Sequence, residues 1–470
     1  MEPVSKQSIV VCIQGLASLP VRLLIFIMVP YQSDLYQDEF DEAVTEALDW
    51  FGSKRVGNRK RLFLDFRQLI IGDGIQAEQL AQKIQQQVPP DVEIHLSLKC
   101  CRVEEGGLGV LQRFLSSVPN LTFLNVTFLW FDYEEITTVV LSASNLRELE
   151  LPLGQQSGIA SVIQACGDQL ENFRFFSGGL LLTKHVVEEA TMALQKRKNL
   201  KSLEFASFRC NDDSFHGFVS NLGRVCTLER LRIACDGGSM TSRSLSALTR
   251  LLHTLPSTIK LKLSISDNPE LFQNATRAQL KHFLGALSEC RSLQSLSLEH
   301  VGLTSSQTQR ILQSLEVLQT DSLQVTLCGT NLLPDQKAFA HLTQSISRMT
   351  AVECLAVIDD FHSQVEMTTE NAFLLAEAVH SNHSIQHLTL QVGGEYIFSP
   401  ILDEIFDRNK ALKAAQDGVG QAARDAEFSS ALWTRAVANM RPKAGDFAAD
   451  PIHILIKNMV ISQALDSAAK

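Results

Sequence analysis

Three histidines in the carboxyl-terminal part of the chain have the spacing of a candidate metal site. His380, His383 and His387 lie three and four residues apart, and imidazole is a common zinc ligand. The sequence, however, predicts a helix end at His380, a turn at His383 and a strand at His387, so the three side chains need not converge. A fourth ligand is also missing. We therefore expect no metal at this position.

A glycine-rich stretch has the outline of a dinucleotide-binding fingerprint. Gly72, Gly74 and Ala77 follow a predicted strand and precede a predicted helix, as in Gly-x-Gly-x-x-Ala. The fingerprint also requires an acidic residue at the end of the next strand, but that strand, 92–98, has its acid, Glu93, at the beginning. We therefore expect no nucleotide cofactor, and the sequence indicates no other cofactor.

Common catalytic patterns are absent from the sequence. It contains no Gly-x-Ser-x-Gly, no His-Glu-x-x-His and no Gly-x-x-x-x-Gly-Lys-Ser/Thr. Its acids and bases are distributed as surface charges. These observations predict no catalytic residues, and we expect the chain not to be an enzyme.

The cysteine pattern favours free thiols. The sequence has ten cysteines, with no Cys-x-x-Cys pair and no evenly paired framework. A free thiol in a strand or at a helix end behaves as a small apolar group. We expect reduced, buried cysteines and hence a reducing compartment, the cytoplasm. The cysteines are Cys12, Cys100, Cys101, Cys166, Cys210, Cys226, Cys235, Cys290, Cys328 and Cys354.

Composition and charge limit the class of protein. With 45% hydrophobic and 20% charged residues, the chain is globular rather than disordered. Its formal net charge is -10, which argues against non-specific binding to nucleic acid, because such binding requires a basic surface. The net charge indicates little else about partners.

The sequence predicts that strands and helices recur in a regular order along the chain. Pairs of apolar residues two positions apart recur at intervals of 24 to 35 residues, and residues with this spacing share one face of a strand. Helical periodicity follows most of them, which predicts helices at 108–117, 134–141, 159–167, 184–196, 213–222, 243–254, 277–289, 306–318, 335–347 and 368–380. The pairs are Leu62/Leu64, Ile94/Leu96, Leu124/Val126, Leu149/Leu151, Phe173/Phe175, Leu203/Phe205, Leu231/Ile233, Leu261/Leu263, Leu296/Leu298, Val325/Leu327, Leu355/Val357 and Leu388/Leu390.

One of these stretches reads Leu293-x-x-Leu296-x-Leu298, followed by Val301 and Leu303. With its repetition over residues 60 to 395, it resembles the leucine-rich repeat family. The resemblance implies an α/β solenoid, a horseshoe of about 12 strand-helix repeats with a concave parallel sheet and outer helices. The asparagine of the family pattern is missing at Gly154, Gly178, Phe208, Asp236, Val301 and Gly393. The chain thus resembles a diverged ribonuclease-inhibitor-like repeat protein.

The predicted domains are an N-terminal cap of strands and a helix at 1–60, the solenoid at 61–412, and a connector with capping helices at 413–470. The last segment resembles the closing segment of leucine-rich repeat proteins of unicellular algae. The apolar stretch Ile9 to Tyr31 suits two cap strands, although its length also permits a membrane segment. Leu19-Pro20 faintly resembles the start of an F-box helix. Asp38 to Trp50 predicts an amphipathic helix.

The middle of the predicted concave face carries charges of both signs, and ten residues there are the candidate partner-binding residues. Such a row either recognises a complementary protein or pairs internally and keeps the face soluble. The ten are Arg147, Glu148, Glu150, Arg174, Lys201, Glu204, Arg230, Arg232, Lys260 and Lys262. Four aromatic residues form a second candidate contact or pack beneath a loop: Phe128, Trp130, Phe131 and Tyr133.

From these features we expect a monomeric, non-enzymatic protein-protein interaction scaffold that binds an unknown protein partner on its concave face, without nucleic acid and without a membrane. Two alternatives stay open. One is a regulator of an enzyme, since similar solenoids occur in activators of the small GTPase Ran. The other is a substrate receptor of a ubiquitin ligase, which rests on Leu19-Pro20 alone.

Overall fold

The chain divides into two compact units, Met1–Asn268 and Pro269–Lys470. The computed structural model describes most of the residues between 61 and 396 in these units. The described residues are 23–28, 61–67, 70–71, 81–82, 84–86, 88, 92–98, 102–103, 106–118, 120–127, 132–153, 157–222, 227–320, 322–359, 365, 368–392, 395–396, 405–407, 409–410 and 413.

The first unit is built on parallel strands that pair in the order of the chain. Apart from β3 and β5, which pair only with each other, each strand lies beside the next. The strands are β1 (Leu23–Met28), β2 (Arg61–Arg67), β3 (Ile70–Ile71), β4 (Glu93–Ser97), β5 (Arg102–Val103), β6 (Leu121–Asn125), β7 (Glu148–Pro152), β8 (Asn172–Phe176), β9 (Ser202–Asn211), β10 (Arg230–Ser239) and β11 (Lys260–Ser266).

Helices connect these strands, as parallel pairing requires. They are α1 (Gly107–Ser117), α2 (Tyr133–Leu141), α3 (Ile159–Ala165), α4 (Lys184–Leu194), α5 (Asp212–Leu222) and α6 (Ser242–Thr254).

The second unit repeats the same alternation. Its strands β12 to β15 pair in parallel in chain order, and β16 adds an antiparallel edge. The strands are β12 (Leu293–Glu299), β13 (Leu323–Gly329), β14 (Val352–Asp359), β15 (His387–Val392) and β16 (Glu395–Tyr396). The helices are α7 (Glu270–Gln273), α8 (Arg277–Glu289), α9 (Ser305–Glu316), α10 (Gln336–Arg348) and α11 (Thr369–Ser381).

Threonine and aspartate set the starts of most of the longer helices. Thr183, Thr276, Thr304 and Thr368 each accept a hydrogen bond from the backbone N–H three residues later, within α4, α8, α9 and α11. Such a cap satisfies one of the N–H groups that a helix start leaves without an internal partner. The capping side chain therefore marks where each strand-to-helix turn ends.

The core of the first unit lies between the strands and the helices. Phe175 of β8 stacks on Phe205 of β9, with ring centroids 4.8 Å apart. Phe205 in turn meets Phe218 of α5 edge to face at 4.5 Å. All three rings are almost completely buried. Phe205 thus joins one repeat to the next and the sheet to its covering helix.

Polar side chains also connect successive repeats. In the first unit, the carboxylate of Asp212 accepts hydrogen bonds from the Thr241 N–H at 2.9 Å and the Thr241 hydroxyl at 2.6 Å, and also from the N–H and hydroxyl of Ser244. The start of α6 is therefore capped by a residue from the preceding repeat. Burial alone would raise the pKa of Asp212, but these hydrogen bonds outweigh it and hold the pKa below its usual value.

The second unit has a short asparagine ladder between helices and strands. Asn382 donates through Nδ2 to the carbonyls of Ile346 and Met349, both at 2.6 Å. Asn409 donates in the same way to the carbonyls of Asn382 at 3.0 Å and Ile385 at 2.6 Å. Both asparagines are buried. These amides satisfy carbonyls in the last turn of α10 and in the segments that follow α10 and α11, a different place from the family position after the strand.

The repeat prediction is confirmed throughout the described residues. Each of the twelve predicted pairs lies in a strand, or immediately after it at Val126, and only Leu388 is less than fully buried. The helices begin and end within a few residues of the predicted bounds. The glycine stretch at 72–77, the helix at 38–50 and the C-terminal capping helices lie outside the described residues. The domain boundaries stay a prediction.

The N-terminal apolar stretch is described in part. Leu23–Met28, within the stretch predicted to form two cap strands, is a strand that pairs in parallel with β2. The rest of 9–31, including Leu19-Pro20, lies outside the described residues. Where the structure describes a helix, that helix is too short or too polar to cross a membrane.

We predict that Phe205→Ala lowers the free energy of unfolding by about 3–5 kcal/mol, because it removes buried ring area and leaves a cavity between two repeats. Met192, which is 59% exposed on α4, provides the control. Met192→Ala should change the free energy of unfolding by less than about 0.5 kcal/mol. Denaturant unfolding of both variants measures the difference. Equal costs would contradict the inter-repeat packing described above.

We also predict that Asp212→Asn lowers the free energy of unfolding by about 1–3 kcal/mol at neutral pH, because it weakens four cross-repeat hydrogen bonds. Since the folded pKa is lowered, the carboxylate contributes fully at pH values above its unfolded pKa of about 3.9, and the contribution is lost as the pH falls through the folded pKa. The parent and the variant should therefore converge in acid. Unfolding curves at neutral and acidic pH test this, and a difference that does not change on acidification would contradict it.

Candidate protein-binding surface

One face of the first unit's sheet carries polar residues between the buried ones. In β7 and β8 the buried residues alternate with half-buried ones, and in the first part of β10 and in β11 they alternate with exposed or half-buried ones. Successive side chains of a strand point to opposite faces. We call the face that carries the polar set the open face; it corresponds to the predicted concave face.

Parallel pairing aligns the candidate residues in two rows across this face. Residues in register on neighbouring strands are direct neighbours in each row. The central row is Asn125, Glu150, Arg174, Glu204, Arg232 and Lys262, and the flanking row is Phe123, Glu148, Asn172, Ser202, Arg230 and Lys260.

Four residues of the central row form a continuous chain of ion pairs, which we call the charge ladder: Glu150, Arg174, Glu204 and Arg232. The Nη1 of Arg174 lies 3.1 Å from Oε1 of Glu150, and its Nε lies 3.2 Å from Oε1 of Glu204. The Nη1 of Arg232 lies 3.1 Å from the same Glu204 oxygen. One carboxylate therefore serves two guanidinium groups, and the four side chains hold one another in place.

Exposure along the charge ladder follows the sign of the charge. The carboxylate side chains of Glu150 and Glu204 are 15% and 20% exposed, whereas Arg174 and Arg232 are 37% and 52% exposed. The two acids thus lie low on the sheet, and the guanidinium groups stand above them. A partner on the open face would meet the cations first.

Two further ion pairs involve candidate partner-binding residues that lie just before the strands. Arg147 contacts Glu93 at 3.4 Å, and Lys201 contacts Glu171 at 2.9 Å. Glu148 is half-buried in the flanking row. Internal pairing, one of the two predicted alternatives, is therefore observed for most of the candidate residues near the centre of the sheet.

At β10 and β11 the alternation of charges stops. Arg230 and Arg232 lie in register with Lys260 and Lys262, and all four side chains are exposed. Arg230 donates to the neutral amide oxygen of Asn172 at 3.2 Å. We call these four residues the basic block.

The other end of the central row, outside the ten candidate residues, is buried. Asn125 is 1% exposed; its Oδ1 accepts from the backbone N–H of Thr127 at 2.9 Å, and its Nδ2 donates to Glu150. His95 is 5% exposed and stacks on Phe123 with ring centroids 5.1 Å apart. These residues act in packing. The sequence feature that could have indicated their burial is that each of these polar residues stands between two apolar residues.

Of the four aromatic residues predicted to form a second contact or to pack beneath a loop, Tyr133 is buried at the start of α2, as the packing alternative expects. Phe128, Trp130 and Phe131 lie outside the described residues. His380 lies in the last turn of α11, His383 lies in a bend and His387 begins β15, and all three are exposed. Within the part of the chain that the structure describes, no group of three or more potential metal ligands comes together.

The six described cysteines are free thiols, and all except Cys354 are buried. Burial raises the pKa of Cys166 to about 12. Cys210 and Cys235 lie with their sulfur atoms 3.4 Å apart, and this contact together with burial raises the pKa of Cys210 well above its usual value. A protonated, buried thiol is a poor nucleophile, so these groups serve packing.

We predict that Glu204→Gln lowers the free energy of unfolding by about 1 kcal/mol at low salt, because two guanidinium groups lose their shared carboxylate. The cost should fall at high salt, which screens exposed charges. Glu377→Gln, at an exposed site on α11, is the control and should have almost no effect. Unfolding at two salt concentrations measures both variants. A Glu204→Gln cost equal to that of the control would contradict the charge ladder.

No family model and no curated protein matches the chain. Among solved structures, it is similar to the leucine-rich repeat-containing protein LegL7 from Legionella pneumophila, with 13% identity over 70% of this chain and 93% of that chain and a TM-score of 0.34.

Two other solved structures resemble it to a similar degree. For the yeast Rad7 and Elc1 complex the identity is 14%, over 79% of this chain and 86% of that chain, with a TM-score of 0.39. For an internalin from Listeria monocytogenes the identity is 13%, over 75% of this chain and 88% of that chain, with a TM-score of 0.37. Scores this low carry no argument about function. The identification therefore rests on the chain's own strand-helix repeats, and these show that it has the leucine-rich repeat fold.

Proposed function

We propose that the chain is a non-enzymatic protein-interaction scaffold that binds a protein partner on the open face of the first unit. The leucine-rich repeat fold itself supports a protein-binding role, because repeats of this kind create extended surfaces on regular elements. The candidate contact residues lie between Arg147 and Lys262, on strands held by a continuous core. A cytoplasmic location and a monomeric state belong to the same proposal.

The observation that carries the proposal is the charge ladder. Its arginines are oriented by carboxylates at 3.1–3.2 Å before any partner arrives. Ordering a long side chain on binding costs about 0.5–1.5 kcal/mol, and a side chain that is already held avoids part of that cost. Because the ladder pairs two acids with two cations, its fixed charges act mainly on specificity.

The groups with shifted pKa values support a non-enzymatic role. Groups with strongly shifted pKa values often mark catalytic sites. Here the lowered pKa belongs to Asp212, which caps α6, and the raised values belong to thiols, of which Cys166 and Cys210 lie in the core. Each is explained by its structural surroundings.

Neither alternative function is favoured by a feature of the described residues. The F-box-like Leu19-Pro20 lies outside them, and a GTPase regulator would be recognised only through its partner. Both alternatives predict a bound protein, so the identity of that protein separates them from a general scaffold.

We predict that Ser264→Trp, on the open face of β11, abolishes partner binding, because the bulky ring blocks close approach whatever the charge of the partner. The tagged parent, this variant and a matched control, Gln344→Trp on an exposed site of α10, are used to capture proteins from extracts of the native cells. Mass spectrometry quantifies the captured proteins.

The proposal expects at least one protein to be captured by the parent and the control and lost from Ser264→Trp. Capture of the same proteins in equal amounts by all three chains would contradict it. Circular dichroism melting curves establish that both tryptophan variants are folded.

A further inference from the structure

We propose that the partner presents an acidic protein segment, and that the basic block of Arg230, Arg232, Lys260 and Lys262 binds its carboxylates. The inference rests on the proposed function, since it names the chemistry of the partner for the same open face. Four features of the structure carry it: the spacing of the cations, their lack of internal neutralisation, their exposure and the acids around them.

The spacing follows from the register of β10 and β11. Arg230 pairs with Lys260 and Arg232 pairs with Lys262 as direct neighbours. Neighbouring strands lie about 4.8 Å apart, and residues two apart along a strand lie about 7 Å apart. The four side chains therefore start from the corners of a small rectangle. In an extended segment, carboxylates at alternate positions are also about 7 Å apart, which matches the spacing along each strand of the block.

The charges of the basic block are largely uncompensated. Among the described residues, Arg230, Lys260 and Lys262 form no ion pair, and the one hydrogen bond of the Arg230 guanidinium goes to a neutral amide. Arg232 shares the Glu204 carboxylate with Arg174. Like charges in register on adjacent strands repel one another, so bound carboxylates would remove an unfavourable interaction that the free protein retains.

The block is both accessible and firmly supported. All four side chains are exposed, while the alternate residues of the same strands are buried: Leu231, Ile233, Leu261 and Leu263 are each at most 1% exposed. The strands thus fix the starting points of the four side chains. Arginine in addition offers two parallel N–H donors to one carboxylate.

The surroundings favour a short acidic protein segment over nucleic acid. Glu204 and Glu150 continue the central row on one side of the block, and Glu229 immediately precedes Arg230. A nucleic acid strand needs a basic track along its backbone, and these acids would oppose phosphates beyond the block. The net charge of -10 also disfavours binding of nucleic acid.

The test uses the full chain and two fluorescein-labelled peptides, one of alternating Glu and Ser and one with Gln in place of Glu. Fluorescence anisotropy gives the affinities at low and high salt. The block variant is Arg230→Gln/Lys260→Gln/Lys262→Gln. The matched control, Lys196→Gln/Lys198→Gln/Lys281→Gln, removes the same charge from exposed sites outside the block.

We expect the parent to bind the Glu peptide and not the Gln peptide, with an affinity that falls as salt rises. The block variant should bind about tenfold more weakly, since each exposed ion pair contributes a few-fold, and the control should bind like the parent. Absence of charge-dependent binding, or equal binding by the block variant, would overturn the inference. Tighter block-dependent binding of a single-stranded oligodeoxythymidine would also overturn it, because the block would then serve nucleic acid.

The capture experiment separates this inference from the proposed function. A protein lost from Ser264→Trp but still captured by the block variant would leave open-face binding in place and overturn the acidic partner. Equal capture by the parent, Ser264→Trp and the block variant would overturn both.

Discussion

The structure depends on one constraint: a strand of five to ten residues and its helix cannot bury their apolar faces alone. Each repeat must therefore lie in register with its neighbours. In the first unit this requirement is met by rings such as Phe175 and Phe205, which stack at 4.8 Å across adjacent strands. Because Phe175 and Phe205 lie in register on neighbouring strands, removal of one ring disturbs the packing of both repeats.

The same stacking decides how the ends of the helices are satisfied. A helix start leaves N–H groups, and a helix end leaves carbonyls, without internal partners. Neighbouring repeats supply some of the missing partners, as the Asp212 carboxylate does for α6 and the Asn382 amide does for carbonyls in the last turn of α10 and just after it. The family position for asparagine is occupied by other residues, and buried polar groups elsewhere perform the comparable task.

These contacts explain which parts of the molecule could be predicted from sequence. The strand pairs and helix bounds follow from periods of two and 3.6 residues, which are local and need no neighbour. The burial of His95 and Asn125, and the capping of α6 by Asp212, depend on residues in adjacent repeats, about thirty positions away. Local patterns do not contain that information. The candidate charged residues could be assigned to one face, but the pairing of Arg174 with two glutamates could not.

Register also determines the charge pattern of the open face. The pairing that aligns Leu149, Phe173, Leu203 and Leu231 in the core places Glu150, Arg174, Glu204 and Arg232 side by side above it. Where successive strands carry opposite signs, the charges neutralise one another and contribute little net attraction for a partner. At Arg232 and Lys262 the signs no longer alternate, and the same rigid spacing then concentrates positive charge instead of cancelling it. The residues most able to attract a partner are therefore those at which the internal pairing stops, and not the most densely charged part of the sequence.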